Sequence, residues 1–248
     1  MCSSFFRMKS EGKMQLGTTA QGIQELEERI GYTFQDKSLI KQALTHSSYA
    51  NEMRILKSGN YERLEFLGDA VLEMIASNFL FSKYPTMPEG QLSKLRAALV
   101  CEQALAYVAR GIALDKFFLL GKGEESTGGR ARESIACDVV EAVIGAIFRD
   151  SGIEEAQKFV FRFILDNIEQ KKLFFDAKST LQELAQSKFK QNLNYKVVYE
   201  QGPEHDKEFG VEAYLGDKLL GKGKGRSKKL AEQHAAYEAL LALQNGED

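Results

Sequence analysis

Between Tyr61 and Tyr84 the chain runs without a proline, and its apolar residues recur at the helical period. Leu64, Leu67, Val71, Met74 and Ile75 fall along one side, the stripe by which a helix docks on a core. Glu62, Glu65 and Asp69 fall on the opposite side, spaced i, i+3, i+7. At a rise of about 1.5 Å per residue, Glu65 and Asp69 stand one turn apart, within reach of a single cation. A solvated acidic face is the plain alternative. Two details weigh against it. No Lys or Arg follows Glu65 or Asp69 at i+4, so the ion pairs usual on a solvated helix are missing. Phe66 projects between Glu62 and Asp69, where a large ring has no core of its own chain to enter, so a partner subunit or a ligand is expected to cover it.

The same period continues on both sides of this segment. Ile23, Leu26 and Ile30 predict a short helix ending at Gly31, and Leu39, Ile40, Ala43 and Leu44 a second, leading into Thr45-His46-Ser47-Ser48-Tyr49. His46 has no second His or Cys at ligand spacing and reads as structural. After Pro88-Glu89-Gly90 one long helix is predicted, with Leu92, Leu95, Leu99, Leu105 and Val108 inward. Gly121–Arg130 is glycine-rich but lacks the Gly-Lys-Ser/Thr that closes a phosphate loop, so it reads as a flexible connector. Glu124 within it is a candidate for the acidic site.

The helix predicted over Glu133–Asp150 turns Val140, Val143, Ile144 and Ile147 inward and carries Asp138 and Glu141 on the face of Ala142 and Gly145. Small residues there let another helix approach closely, so two acidic faces could converge on one cation. Cys137 reads as a small buried side chain rather than a nucleophile, since no histidine is placed near it. Phe159, Val160, Phe163 and Ile164 close an all-helical region near Gln170.

Beyond residues 171–177 the pattern changes. Ser179–Lys190 is helical, with Leu181, Leu184, Ala185 and Phe189 inward, and Asn194–Gln201 then alternates Tyr195, Val197 and Tyr199 against Lys196, Val198 and Glu200. Gly202-Pro203 turns the chain, Glu208–Leu215 and Lys218–Gly221 form two more strands around Gly216-Asp217, and a last helix carries Ala231, Ala235, Ala236, Leu240 and Leu243. The order α-β-β-β-α makes a small two-layer α+β domain of its own.

Composition adds limits. The chain has 248 residues, enough for one or two domains, and 33 Lys/Arg against 35 Asp/Glu leave a net charge of −2 that does not by itself point to a nucleic acid. Three cysteines without a CxxC pair suit a reducing, cytoplasmic compartment. The apolar runs are too short to span a bilayer and residues 1–15 lack the apolar core of a signal peptide, so no membrane partner is expected.

Four carboxylates on two close helices repel one another unless a cation sits between them. A donor set of oxygens without His or Cys favours Mg²⁺ or Mn²⁺ over Zn²⁺, and a hard divalent ion in an acidic site suits phosphodiester hydrolysis. A di-iron bundle needs Glu-x-x-His pairs, which are absent. In the second domain, residues 178–248 hold eleven Lys/Arg and eleven Asp/Glu, yet Lys218–Lys229 contains Lys218, Lys222, Lys224, Arg226, Lys228 and Lys229 with no acidic residue. Lys228 and Lys229 open a helix whose free N–H groups also favour phosphate. With Gln182, Glu183 and Gln186 on the polar side of the first helix, this combination suits the shallow minor groove of A-form RNA. A solvated turn is the alternative for the lysines, and a capping box with Ser179 the alternative for Gln182.

ERLEFLGDAVL at 62–72 resembles the diagnostic motif of ribonuclease III, and the domain order resembles that of the bacterial enzymes. LTHSSY at 44–49, PEGQLSKLRAALV at 88–100 and ESIACDVVEAVIGAIF at 133–148 extend the resemblance, and GPEH at 202–205 with SKKLAEQHAA at 227–236 resemble a double-stranded-RNA-binding domain. The resemblance covers about Ile23 to Leu243. It implies an N-terminal extension (1–21), an all-α endonuclease domain (22–170), a linker (171–177) and an RNA-binding domain (178–245). It further implies that Glu65, Asp69, Asp138 and Glu141 hold Mg²⁺, with Mn²⁺ able to substitute, and that Asp69 and Glu141 are catalytic. Glu62, Glu89 and Glu124 then support the acidic valley, and Phe66 inserts into the second copy of a homodimer. Gln182, Glu183, Gln186, His205, Lys228 and Lys229 contact double-stranded RNA, cut to leave 5′-phosphates, 3′-hydroxyls and short 3′ overhangs in processing ribosomal RNA and other transcripts. No small-molecule organic cofactor is implied. Ser179, where the family commonly has Thr, and the extension are departures. The rival readings are a protein that holds duplex RNA without cutting it and a helical dimerisation scaffold with an incidental acidic face.

Overall fold

The computed structural model describes residues 16–166, 177–202, 207–225 and 227–244, which separate into two compact units divided after Asp166. Most of the extension, residues 171–176 of the expected linker, the end of the helical region near Gln170, Pro203, His205 and Arg226 lie outside the described residues, while Ala177, expected in the linker, is buried in the second unit's first helix.

In the first unit, α1 (Ala20–Ile30) starts at Thr19, whose hydroxyl accepts the Gly22 N–H, and ends on Gly31 with φ of 70°. Then follow α2 (Lys37–Ala43), α3 (Ser47–Glu52), α4 (Glu62–Lys83), α5 (Glu89–Leu99), α6 (Glu102–Gly111), α7 (Lys122–Ser126), α8 (Glu133–Ser151) and α9 (Ile153–Val160). The centre is α8. Ile135, Val139, Val140, Val143, Ile144 and Ile147 are all buried, the signature of a helix enclosed on every side. Burying each such side chain contributes about 1.5–3 kcal/mol, and α2, α4, α6 and α9 all lie against α8.

The α4 helix buries Leu64, Val71, Leu72, Ile75 and Leu80 on this core. Met74, expected inward, is 53% exposed. It falls on the seam of Phe66 and Phe81, which are 81% and 73% exposed, an apolar strip on the far side of the helix.

Two further expectations fail for tertiary reasons. The long helix after Gly90 breaks at Val100-Cys101 into α5 and α6, because α5 lies against α4 while α6 lies against α8, two directions that one straight helix cannot serve. Gly121–Arg130 is not a loose connector. It forms α7 and a 3₁₀ turn at Gly129–Ala131. Arg130 fixes it by donating to the carbonyls of Asp115 and Phe118 and to the Glu125 carboxylate.

In the second unit, α10 (Ala177–Leu184) and α11 (Lys228–Gln244) pair with each other, and an antiparallel sheet of β1 (Leu193–Gln201), β2 (Glu208–Leu215) and β3 (Lys218–Gly225) lies in the order β1-β2-β3. The alternation expected in β1 is interrupted by a bulge between Val197 and Tyr199, which leaves Val197 and Val198 46% and 51% exposed. Strand β3 runs four residues past the predicted Gly221. Its glycines 221, 223 and 225 face α11 so closely that a Cβ at any of them would collide with the backbone of Ala231 or Ala235. No described helix is long and apolar enough to cross a membrane.

Candidate active site

The Thr45–Ser48 stretch fixes the start of α4. Leu119 N–H donates to the Leu44 carbonyl at 2.8 Å and His46 N–H returns to Leu119 at 3.0 Å, while Tyr61 N–H donates to the Thr45 carbonyl at 2.9 Å. Ser48 accepts the Gly121 N–H at 2.9 Å. His46 Nδ1 accepts from Ser48 N–H and stands 2.7 Å from its hydroxyl, the structural role expected of this residue. Asn60 accepts the Glu62 N–H at 3.2 Å on its side chain, a cap on the first turn that carries the acidic residues.

From that start, α4 crosses α8 in backbone contact. A Cβ on Gly68 would overlap the Glu141 carbonyl oxygen, and one on Gly145 would overlap that of Leu64. Gly145 was legible as a small residue beside the carboxylates. Gly68, embedded in an otherwise apolar and acidic run, was missed, although a glycine inside a helix costs about 1 kcal/mol and so marks a packing need.

The crossing brings Glu65, Asp69, Asp138 and Glu141 into one field. Burial raises Glu65 first, then the charges of Asp138, Glu62 and Asp69, and it is pushed up to about 7. Burial also leads for Glu141, followed by Asp69, Asp138 and Glu65, again to about 7. Asp138 is raised by burial and held back by a hydrogen bond from Tyr61 and by His46. No Lys or Arg figures among the charges acting on these three groups. Ligand atoms of Cys137, Asp138 and Glu141 lie within 4.8 Å of one another. Glu65 and Asp69 stand outside that tight set. Burial and the neighbouring carboxylates drive the Cys137 thiol far above its usual range, and its S–H points to Glu141 Oε1 at 3.7 Å. A protonated thiol is a poor ligand, so the working donors are oxygens. Such a set fits a hard divalent cation.

The other acidic candidates are placed differently. Glu89 is exposed at the start of α5 and accepts from Ser93 at 2.7 Å, and Glu124 is ion-paired with Arg132 at 2.6 Å. Neither is among the charges that act on Glu65 or Glu141. Tyr61, buried with its hydroxyl 2.9 Å from Asp138 Oδ2, was missed, because a sequence does not distinguish a packed phenol from one that donates.

In the second unit Gln182, Glu183 and Gln186 are exposed along α10 and the turn that follows it. Ser179 lies inside α10, so it does not cap the helix and the capping-box alternative for Gln182 falls away. Lys228 and Lys229 are exposed on the first turn of α11, where Ser227 accepts the Leu230 N–H at 3.2 Å. Lys228 Nζ is 3.9 Å from Glu200 and lies over the Phe209 ring at 5.6 Å.

Comparison with known proteins gives concordant matches. The family described as ribonuclease-III-like matches residues 36–168, and the double-stranded RNA binding motif matches residues 177–243. A protein named ribonuclease 3 from Enterococcus faecalis is 48% identical over 221 residues, covering 88% of this chain and 96% of the relative. One of the same name from Bacillus velezensis is 49% identical over 224 residues, covering 90% of each. Among solved structures, the nuclease domain of ribonuclease III from Campylobacter jejuni, described for flexibility in a region involved in dimer formation, is 46% identical with a TM-score of 0.55. It spans 58% of this chain and 97% of that one.

Proposed function

The chain belongs to the ribonuclease III family and is an endoribonuclease of double-stranded RNA, and on that premise we propose that Glu65, Asp69, Asp138 and Glu141 form its metal site, with Asp69 and Glu141 as the catalytic pair. The observation that carries this reading is the glycine-lined crossing of α4 and α8, which brings the four carboxylates into one field, with Glu65 and Glu141 pushed up to about 7.

The family is metal-dependent, and the oxygen donors of the site favour Mg²⁺, with Mn²⁺ as a substitute. A bound ion would supply positive charge at the scissile phosphate and acidify the attacking water. The protein's own part is to hold the carboxylates in register, and a bound ion would favour the ionised forms that burial and mutual repulsion oppose. Asp69 is exposed and Glu141 is half-buried. Glu62 adds negative charge beside Glu65, and Glu89 and Glu124 line the outer valley.

Phe66, 81% exposed beside the carboxylates, is the contact with a second copy of the chain, so that a homodimer offers two sites for the two RNA strands. The products carry 5′-phosphates, 3′-hydroxyls and short 3′ overhangs. Gln182, Glu183, Gln186, Lys228 and Lys229, with His205, contact the duplex, and the domain limits are 22–170 and 178–245. Ribosomal RNA and other transcripts in the cytoplasm are the substrates.

Cleavage of a duplex RNA with and without Mg²⁺ tests the assignment. Glu141→Ala should abolish cutting while binding in Ca²⁺ persists. Normal cutting by this variant would overturn the catalytic role of Glu141.

A further inference from the structure

Asp138 is the one carboxylate of the four with a phenol donating to it. Tyr61 immediately precedes α4, and its hydroxyl donates to Asp138 Oδ2 on α8 at 2.9 Å, across the same crossing that forms the valley. Resting on the reading of Asp138 as a metal ligand, we propose that Tyr61 is a positioning residue of the metal site, its hydroxyl fixing the Asp138 carboxylate in the orientation in which it would hold the cation.

Three attachments give Tyr61 the rigidity this needs. Its backbone N–H is bonded to the Thr45 carbonyl at 2.9 Å, its ring is 4% exposed, and one face leans on the His46 imidazole with centroids 5.7 Å apart. The hydroxyl therefore has little freedom to follow a carboxylate that moves. Where the Asp138 carboxylate points matters to the whole cluster, because its charge bears on both Glu65 and Glu141 and the like charges repel. A donor on the wall of the valley opposes that repulsion without adding a positive charge, which would compete with the ion. Outer hydrogen bonds of this kind are what orient ligating groups in metal sites, and their removal typically costs 10–100-fold in affinity. The arrangement also gives the Thr45-His46 turn a part in the chemistry, since it anchors the backbone from which the hydroxyl extends.

The test is Tyr61→Phe in the full chain, which keeps the ring and its packing. Mn²⁺ alone is titrated calorimetrically in the absence of RNA, and the Mg²⁺ concentration for half-maximal cleavage is measured separately. Both should weaken about tenfold, while kcat at saturating Mg²⁺ recovers to within about threefold of the parent. The Tm in EDTA should hardly change, because half-buried Asp138 can take a water in place of the hydroxyl. Asp138→Asn should weaken Mn²⁺ binding, and adding Tyr61→Phe to it should do nothing more. Mn²⁺ affinity unchanged within twofold in Tyr61→Phe overturns the positioning role. Unchanged affinity in Asp138→Asn instead removes Asp138 from the ligand set, and the proposal for Tyr61 goes with it.

Discussion

A methyl group added to Gly68 would overlap the carbonyl oxygen of Glu141 and stand 2.9 Å from the Gly145 nitrogen. The obstacle is backbone, so no side chain can rotate away. Gly68→Ala should therefore pry α4 from α8, at a cost of about 1–3 kcal/mol or more in urea unfolding. The displacement separates Glu65 and Asp69 from Asp138 and Glu141, and cleavage should fall by about 100-fold even where the protein stays folded. Wild-type cleavage by a folded Gly68→Ala protein would mean that the spacing of these helices does not set the site.

Charge without a counter-ion predicts a pH dependence with a definite sign. Glu65 and Glu141 are pushed up to about 7 from an ordinary 4.5, so between those values the folded state keeps protons that the unfolded chain has released. Stability in EDTA therefore falls as pH rises through that window, and the full penalty applies above it. Allowing for solvent screening of partly exposed groups, about 1–2 kcal/mol in total is expected. Thermal melts at pH 5 and pH 8 should show Glu141→Gln losing less than wild type, and Mg²⁺ should restore wild type at pH 8 by binding the folded state. Identical pH slopes for the two proteins in EDTA would contradict the raised Glu141.

Phe66 contributes little to its own protomer. Phe66→Asp should change protomer stability by no more than about 0.5 kcal/mol, as exposed positions do. If the ring is the anchor of a homodimer, the same change should weaken association by about 100-fold, as loss of a buried aromatic does. Sedimentation over a concentration series reads the two effects separately, and an undisturbed dimer would assign the contact elsewhere.

The lysines on α11 should behave as phosphate contacts. Lys229→Ala is expected to weaken duplex RNA binding uniformly across sequences and to lower the salt slope by about 1. Lys228 shares its charge with Glu200 at 3.9 Å. Glu200→Gln should therefore tighten RNA binding slightly, with the gain disappearing at high salt. Filter binding at several ionic strengths measures both, and an unaltered salt slope in Lys229→Ala would remove that residue from the interface.

What the sequence makes legible divides along physical lines. Local periodicity carries the acidic spacing on α4, the carboxylates of α8 and the small residue at Gly145, because the helical turn alone decides which side chains share a face. Long-range packing decides the rest. The break at Cys101 exists because α5 and α6 meet different neighbours, the order in Gly121–Arg130 comes from carbonyls of Asp115 and Phe118 reached by Arg130, and Met74 is turned outward onto the seam of Phe66 and Phe81. The bulge near Val198 follows from pairing with β2, which no run of β1 residues encodes by itself. The Tyr61 hydroxyl is of the same kind, for its acceptor is 77 residues away in the chain.

Strand β3 divides its positions into two classes. At 221, 223 and 225 nothing larger than hydrogen fits against α11, whereas Lys222 and Lys224 on the other face are exposed. Charge can therefore vary on one side of this ribbon, while the reverse side is held to glycine by the helix backbone against it. A module built this way can change its outward charge without renegotiating its own interior.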